Sequence, residues 1–215
     1  MKPRHSASTQ QLGFDELLQV AAHDNAARRL DRRTAHLPGG MDEAVPFFRG
    51  LIDKHHAAML AADVAEVLRL RKEAHLLAVK LNGGNAGMCA HPDAPAYVLA
   101  RATQAEPGIL PLWGQMAVFE VAVAGAAVRI EMDGIFGIGG SSCFWLGFSA
   151  HAVDWQRPFI SETGYRSFLG VCADPVPGLT PAAYVEQCVM AHVRRELRGR
   201  LVTIEPRYRE RPAAA

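Results

Sequence analysis

No two cysteines in this chain are spaced as a metal knuckle or a redox dithiol. The four present, Cys89, Cys143, Cys172 and Cys188, are scattered, which excludes a CxxC motif and the dense disulfide framework of a small secreted domain. Free thiols are expected. An excess of one charge is also lacking: 23 Lys and Arg stand against 22 Asp and Glu, a formal net charge of +1. That balance excludes an acidic nucleic-acid mimic and a protein that coats DNA nonspecifically. No stretch approaches the roughly 18 uninterrupted apolar residues of a membrane span. The opening MKPRHSASTQQ has no apolar signal core, so a soluble cytoplasmic protein with no membrane partner is expected.

What is present suits a packed core. Of 215 residues, 49% are apolar and 21% charged, a composition that favours folding over disorder. The expected organisation is a flexible tail over 1–12, a single α+β domain over 13–205, and a polar tail over 206–215. Within the domain, a helical part covers about 13–84 and a mixed part about 95–205.

Asp15 is placed to cap a first helix through FDELLQVAAHDNAARRL, ending near Arg33 before LPGG. Asp42 is a candidate cap for a second, in which Phe47, Phe48, Leu51, Ile52 and Met59 recur at helical spacing. Asp63 opens a third, where Val67, Leu70, Ala74, Leu77 and Leu81 form a seam that predicts an antiparallel helical hairpin. Asn82, Gly83 and Gly84 stop it, and a short helix is expected near Tyr97–Ala102.

The periodicity then changes to two. Phe119, Val121 and Val123 alternate with Val118, Glu120 and Ala122, and Val128, Ile130 and Met132 with Arg129, Glu131 and Asp133, which predicts a β-hairpin with one apolar face. Two turns are open to it. A loop of Ala124 and Gly125 sets Glu120 opposite Arg129, whereas a loop of Gly125 and Ala126 sets Glu120 opposite Glu131; charge favours the first. A third strand is expected over Cys143–Ala150, a short helix over Thr163–Leu169, a helix from Thr180 and Pro181 to Arg198, and an edge strand over Leu201–Ile204.

Chemistry concentrates between Arg129 and Gly170. Glycines at 134, 137, 139 and 140 suggest a phosphate loop, but no Walker lysine follows, and the CFWLGF beyond them is strand-like. Cys143, His151 and Asp154 offer a nucleophile, a base and a carboxylate. On one extended strand, however, Cys143 and His151 would stand about 26 Å apart. His55, His56, His75, Cys89 and His91 match no ligand spacing and read as surface or boundary residues, so no metal and no cofactor are expected. Asp133, Glu162, Tyr165 and Arg166, with Ser141, Ser142 and Cys143, form the candidate ligand-binding set. In it Glu162 and Arg166, four apart on the expected helix, would pair. Arg28, Arg29, Arg32 and Arg33, with Arg194, Arg195, Arg198 and Arg200, lie at helix C-termini, where the dipole favours cations. They are also the candidate contacts for nucleic acid.

The segments RIEMDGIFGIGG, FWLGFSAHAVDW and RPFISETGYRSFLGVCADPVPGLTP resemble a family of bacterial proteins carried on plasmids and integrative conjugative elements, over about residues 75–210. The resemblance implies an accessory protein of a mobile element, near partition or anti-defence functions, and carries over no catalytic residue. The reading is a non-catalytic accessory or regulatory binding protein for a polar ligand or macromolecular partner. The alternatives are a hydrolase or transferase using Cys143 or Ser141/Ser142 beside the glycine loop, and a nucleic-acid binder.

Overall fold

The first helix, α1 (Thr9–Thr34), starts before Asp15, which therefore lies inside it rather than at its N-cap. The chain is described by a computed structural model over residues 9–85, 87–89, 91–137 and 144–209, with side chains from residue 16 onward. α2 (Met41–Ala61) is capped by extended Gly40 without a side-chain bond. Asp42 and Glu43 occupy its first turn, where the helix dipole favours carboxylates. The left-handed Ala62 and then Asp63 turn the chain into α3 (Val64–Leu81), whose first-turn Glu66 amide donates to the Asp63 carboxylate at 3.0 Å. Because His55, shortly before this turn, bonds to Arg71, shortly after it, α2 and α3 run antiparallel. Val67, Leu70, Ala74 and Leu77 are fully buried along the expected seam. A short α4 (Pro95–Ala102) follows.

Four strands, β1 (Ala117–Val123), β2 (Ala126–Met132), β3 (Phe148–Ala152) and β4 (Tyr165–Phe168), form a sheet in sequence order, each neighbour antiparallel. The hairpin register is the one that charge favours, with Glu120 opposite Arg129. Ala124 and Gly125 both take left-handed backbone, φ 53° and 82°, as a two-residue turn matched to the sheet's twist requires.

Several expectations change here. The third strand begins at Phe148; Trp145 makes only an isolated bridge, to Val171. Residues 165–168 are a strand rather than a helix, because pairing with 148–151 satisfies their backbone while Phe168 stacks on Phe148 at 4.6 Å. Val202 meets Phe159 in an isolated bridge instead of forming an edge strand. α5 (Pro181–Arg195) is capped by Thr180 as expected and ends short of Arg198, which takes left-handed backbone. A helical turn, α6 (Pro206–Arg209), occupies the start of the segment read as a polar tail.

The alternation in β1 and β2 gives the sheet a buried face containing Phe119, Ile130 and Ala150. α5 closes this core with Tyr184, Val185, Val189 and Val193. Trp113 is fully buried at its centre, 5.3 Å from Trp145 and 5.6 Å from Tyr184, and its indole N–H donates to the Leu179 carbonyl at 2.8 Å. That bond removes the desolvation cost an unpaired buried indole would carry. The architecture is α+β: N-terminal helices, a four-stranded antiparallel sheet and a C-terminal helix.

Candidate functional site

Period-two alternation that buries one sheet face turns the other outward. Two cross-strand rows result. Glu120, Arg129, His151 and Tyr165 form one; Val118, Glu131, Ser149 and Ser167 form the other. The rows are linked. Arg129 Nη1 lies 2.7 Å from Glu131 Oε1, His151 Nε2 lies 3.5 Å from Glu131 Oε2, and Ser149 Oγ lies 3.0 Å from the same His151 nitrogen. The Tyr165 ring stands edge-on to His151 at 5.1 Å and is 46% exposed. Where these strands end, a concavity of about 320 Å³ opens, lined by Gln104, Glu131, Asp133, Ser149, Tyr165 and Ser167 among others. Among the described residues, its lining carries two carboxylates and no Lys or Arg.

Serine, histidine and glutamate invite a catalytic reading, which the geometry refuses. A relay needs the nucleophile on one imidazole nitrogen and the carboxylate on the other. Here Ser149 and Glu131 both face Nε2, so the carboxylate cannot orient the ring for proton abstraction from that serine. Asp154 does not serve His151 either. It accepts the Gln156 amide at 2.9 Å and lies 3.4 Å from Arg157.

The structure divides the sequence-derived set. Asp133 and Tyr165 line the same concavity. Arg166 does not join them, because adjacent strand residues point to opposite faces. It stands opposite Ala150 on the inner side and reaches Glu196, beyond α5, at 3.0 Å. His192 Nδ1 lies 3.1 Å from that carboxylate. The expected Glu162–Arg166 pair is thus replaced by Arg166–Glu196, a tie from β4 to the end of α5; Glu162 is exposed. Ser141, Ser142 and Cys143 lie outside the described residues, as do Gly139 and Gly140. Gly137 packs against Asp133: a Cβ there would sit 2.2 Å from that of Asp133. Ser149, Ser167 and Glu131 were missed. Their signal was the period-two pattern itself, which assigns every second residue to the outer face.

The paired histidines have a structural task. His55 is fully buried, contrary to the surface or boundary reading, whereas His56 is half-buried. Trp113 O can only accept and Arg71 Nε can only donate, so His55 is the neutral tautomer that donates from Nδ1 at 2.9 Å and accepts at Nε2 at 3.1 Å. Burial first, and then the Arg71 charge, lowers its pKa from 6.5 to about 4. His56 Nδ1 accepts the Trp113 amide at 3.1 Å, so two adjacent helix residues hold both backbone polar groups of one buried residue. Among the described residues, no three His, Cys, Asp or Glu side chains are grouped to hold a metal ion.

Cys89 and Cys188 are free thiols, and Cys172 is exposed. Burial raises the thiol pKa of Cys89 and Cys188, which disfavours the nucleophilic thiolate. Arg28, Arg29, Arg32 and Arg33, and Arg194, Arg195, Arg198 and Arg200, are all exposed. Arg29 and Arg32 each donate to a carbonyl one turn back on α1. No helix among the described residues is long and apolar enough to cross a membrane.

No solved structure matches the chain. Residues 116–199, from the entry to β1 to just beyond α5, match the KlcB third domain. One KlcB protein of Escherichia coli is 38% identical over 184 residues, which is 84% of this chain and 43% of that protein. A second is 44% identical over 115 residues, 53% of this chain and 24% of that protein. The chain therefore spans less than half the length of these curated relatives. KlcB is plasmid-borne, in keeping with the mobile-element resemblance. The outer-face rows, the α5 cap and all of the concavity's lining except Gln104 lie inside the matched residues, so over residues 116–199 the chain belongs to the KlcB third-domain family.

Proposed function

We propose that this chain is a non-catalytic accessory binding protein of a plasmid or related mobile element, and that its outer sheet face recognises a polar partner. The observation that carries the reading is the concavity at the end of the two polar rows, where Asp133, Glu131, Ser149, Ser167 and Tyr165 converge. Its carboxylates and hydroxyls, with no Lys or Arg among the described lining residues, suit a donor-rich or cationic group, and Tyr165 adds a rigid amphipathic contact. Ser149 and Glu131 sharing one nitrogen of His151 argues against turnover at this face.

Native mass spectrometry of protein purified gently from its host tests this. A retained mass that is lost with Tyr165→Ala and kept with Arg166→Ala is the expected result, since the two residues occupy opposite faces. A retained mass indifferent to Tyr165→Ala, or steady consumption of a substrate by the purified protein, contradicts the reading.

A further inference from the structure

From residue 16 onward, α1 is a helix with little among the described residues to hold it. At 26 residues it is about 39 Å long, yet every described side chain from residue 16 to residue 29 is exposed. Its anchorage is at the C-terminal end. There Leu30 crowds Gly84, whose Cβ, if present, would lie 2.8 Å from Leu30 Cδ2, and Lys80 donates to the Thr34 and Leu37 carbonyls at 2.9 and 2.6 Å. Leu17, Leu18 and Val20 are 68%, 52% and 54% exposed. A helix standing clear of a core gains little from propensity alone and normally draws its stability from a packed apolar face.

The charges say what covers that face. Residues 9–24 contain Asp15, Glu16 and Asp24 and no Lys or Arg; residues 25–34 contain Arg28, Arg29, Arg32 and Arg33 against Asp31. One end is thus acidic and the other basic. The helix dipole does not account for this, because its influence is confined to the terminal turns. α1 has no acidic residue in its first turn, and Arg28 and Arg29 precede its last. Reversed end for end, the same sequence is complementary to itself: the acidic half of one helix faces the basic half of another, with the exposed leucines and valine between them. A twofold, isologous contact has this property.

We propose that α1 pairs antiparallel with α1 of a second copy of this chain, so that the protein self-associates through a helix outside the sheet. Sedimentation velocity of the full chain over a wide concentration range should show a monomer–dimer equilibrium. Two charge-reversed variants sharpen the test: Asp15→Arg with Glu16→Arg makes the helix net basic, with Asp24 and Asp31 its remaining acids, and Arg28→Glu with Arg29→Glu makes it net acidic, with Arg32 and Arg33 its remaining bases. Each alone should dimerise at least about tenfold more weakly, because every reversal is felt twice across a twofold contact. Mixed together they should form a heterodimer that restores the wild-type affinity. Recovery in trans separates lost complementarity from a helix that has merely unravelled. A monomer at every concentration, a dimer indifferent to both reversals, no recovery on mixing, or a dimer that forms only when duplex DNA is added would overturn the proposal.

Discussion

His55 ties the stability of this molecule to pH. Its folded-state pKa is lowered to about 4, so the unfolded chain takes up a proton near pH 6.5 while the folded chain resists doing so. Stability carried by the neutral ring is therefore complete above about pH 6.5 and falls away as pH drops toward 4. The loss over this window is about 3 kcal/mol from His55, and burial of half-buried His56 acts in the same direction. Urea midpoints measured from pH 7.5 down to pH 4 should record this decline. His55→Asn should be less stable at neutral pH and show a shallower decline, and an unchanged slope would contradict the assignment. Gly164 is the second sensitive residue. Its φ is +69°, and a Cβ there would lie 2.3 Å from Trp155, so Gly164→Ala meets both an unfavourable backbone and a clash. A loss of at least about 2 kcal/mol in urea unfolding is expected; a change within about 0.5 kcal/mol would show that the turn relaxes freely. The surface or boundary reading of His55 overlooks a signal that the sequence carries: Phe48, Ile52, His55 and Met59 follow four- and three-residue steps, which place the histidine on the buried stripe of α2. Which nitrogen it would use was not legible, because its partners Trp113 and Arg71 come from separate elements.

At the scale of the element, local signals succeeded where a side chain meets its own backbone. Asp63 and Thr180 cap α3 and α5 as their positions predict, and Asp63→Ala should cost about 1 kcal/mol. Thermal unfolding would measure it, and no change would mean that the α2–α3 turn holds without the cap. The β1–β2 register was legible because only one of two turns sets Glu120 against Arg129. β4 was not legible. Glu162 and Arg166 have helical spacing, but Tyr165, Arg166, Ser167 and Phe168 alternate as well, and four residues are too few for periodicity to decide. Pairing with β3 decides, and that contact is distant in sequence. The consequence reaches the site, since a helix would put Glu162 and Arg166 on one face, whereas the strand sends Tyr165 outward and Arg166 toward Glu196.

Across the whole molecule, the α+β plan follows from the change of hydrophobic period after Gly114, and the polar half of the sheet pattern becomes a face open to solvent. The candidate site was half legible: Asp133 and Tyr165 meet in the concavity, while Arg166 lies on the other side of the sheet. Ser149 and Ser167 join them because register aligns residues from strands that are far apart in sequence. The central claim is that this outer face is where the partner binds. Its most direct test is photo-crosslinking in the native host, with the reactive side chain placed at Ser167 on the outer face and, for comparison, at the exposed Leu110, which is not among the residues lining the concavity. The account predicts a discrete adduct from position 167 that is lost with Tyr165→Ala and is not formed from position 110. Equal labelling from both positions, or an adduct from position 110 alone, would contradict it.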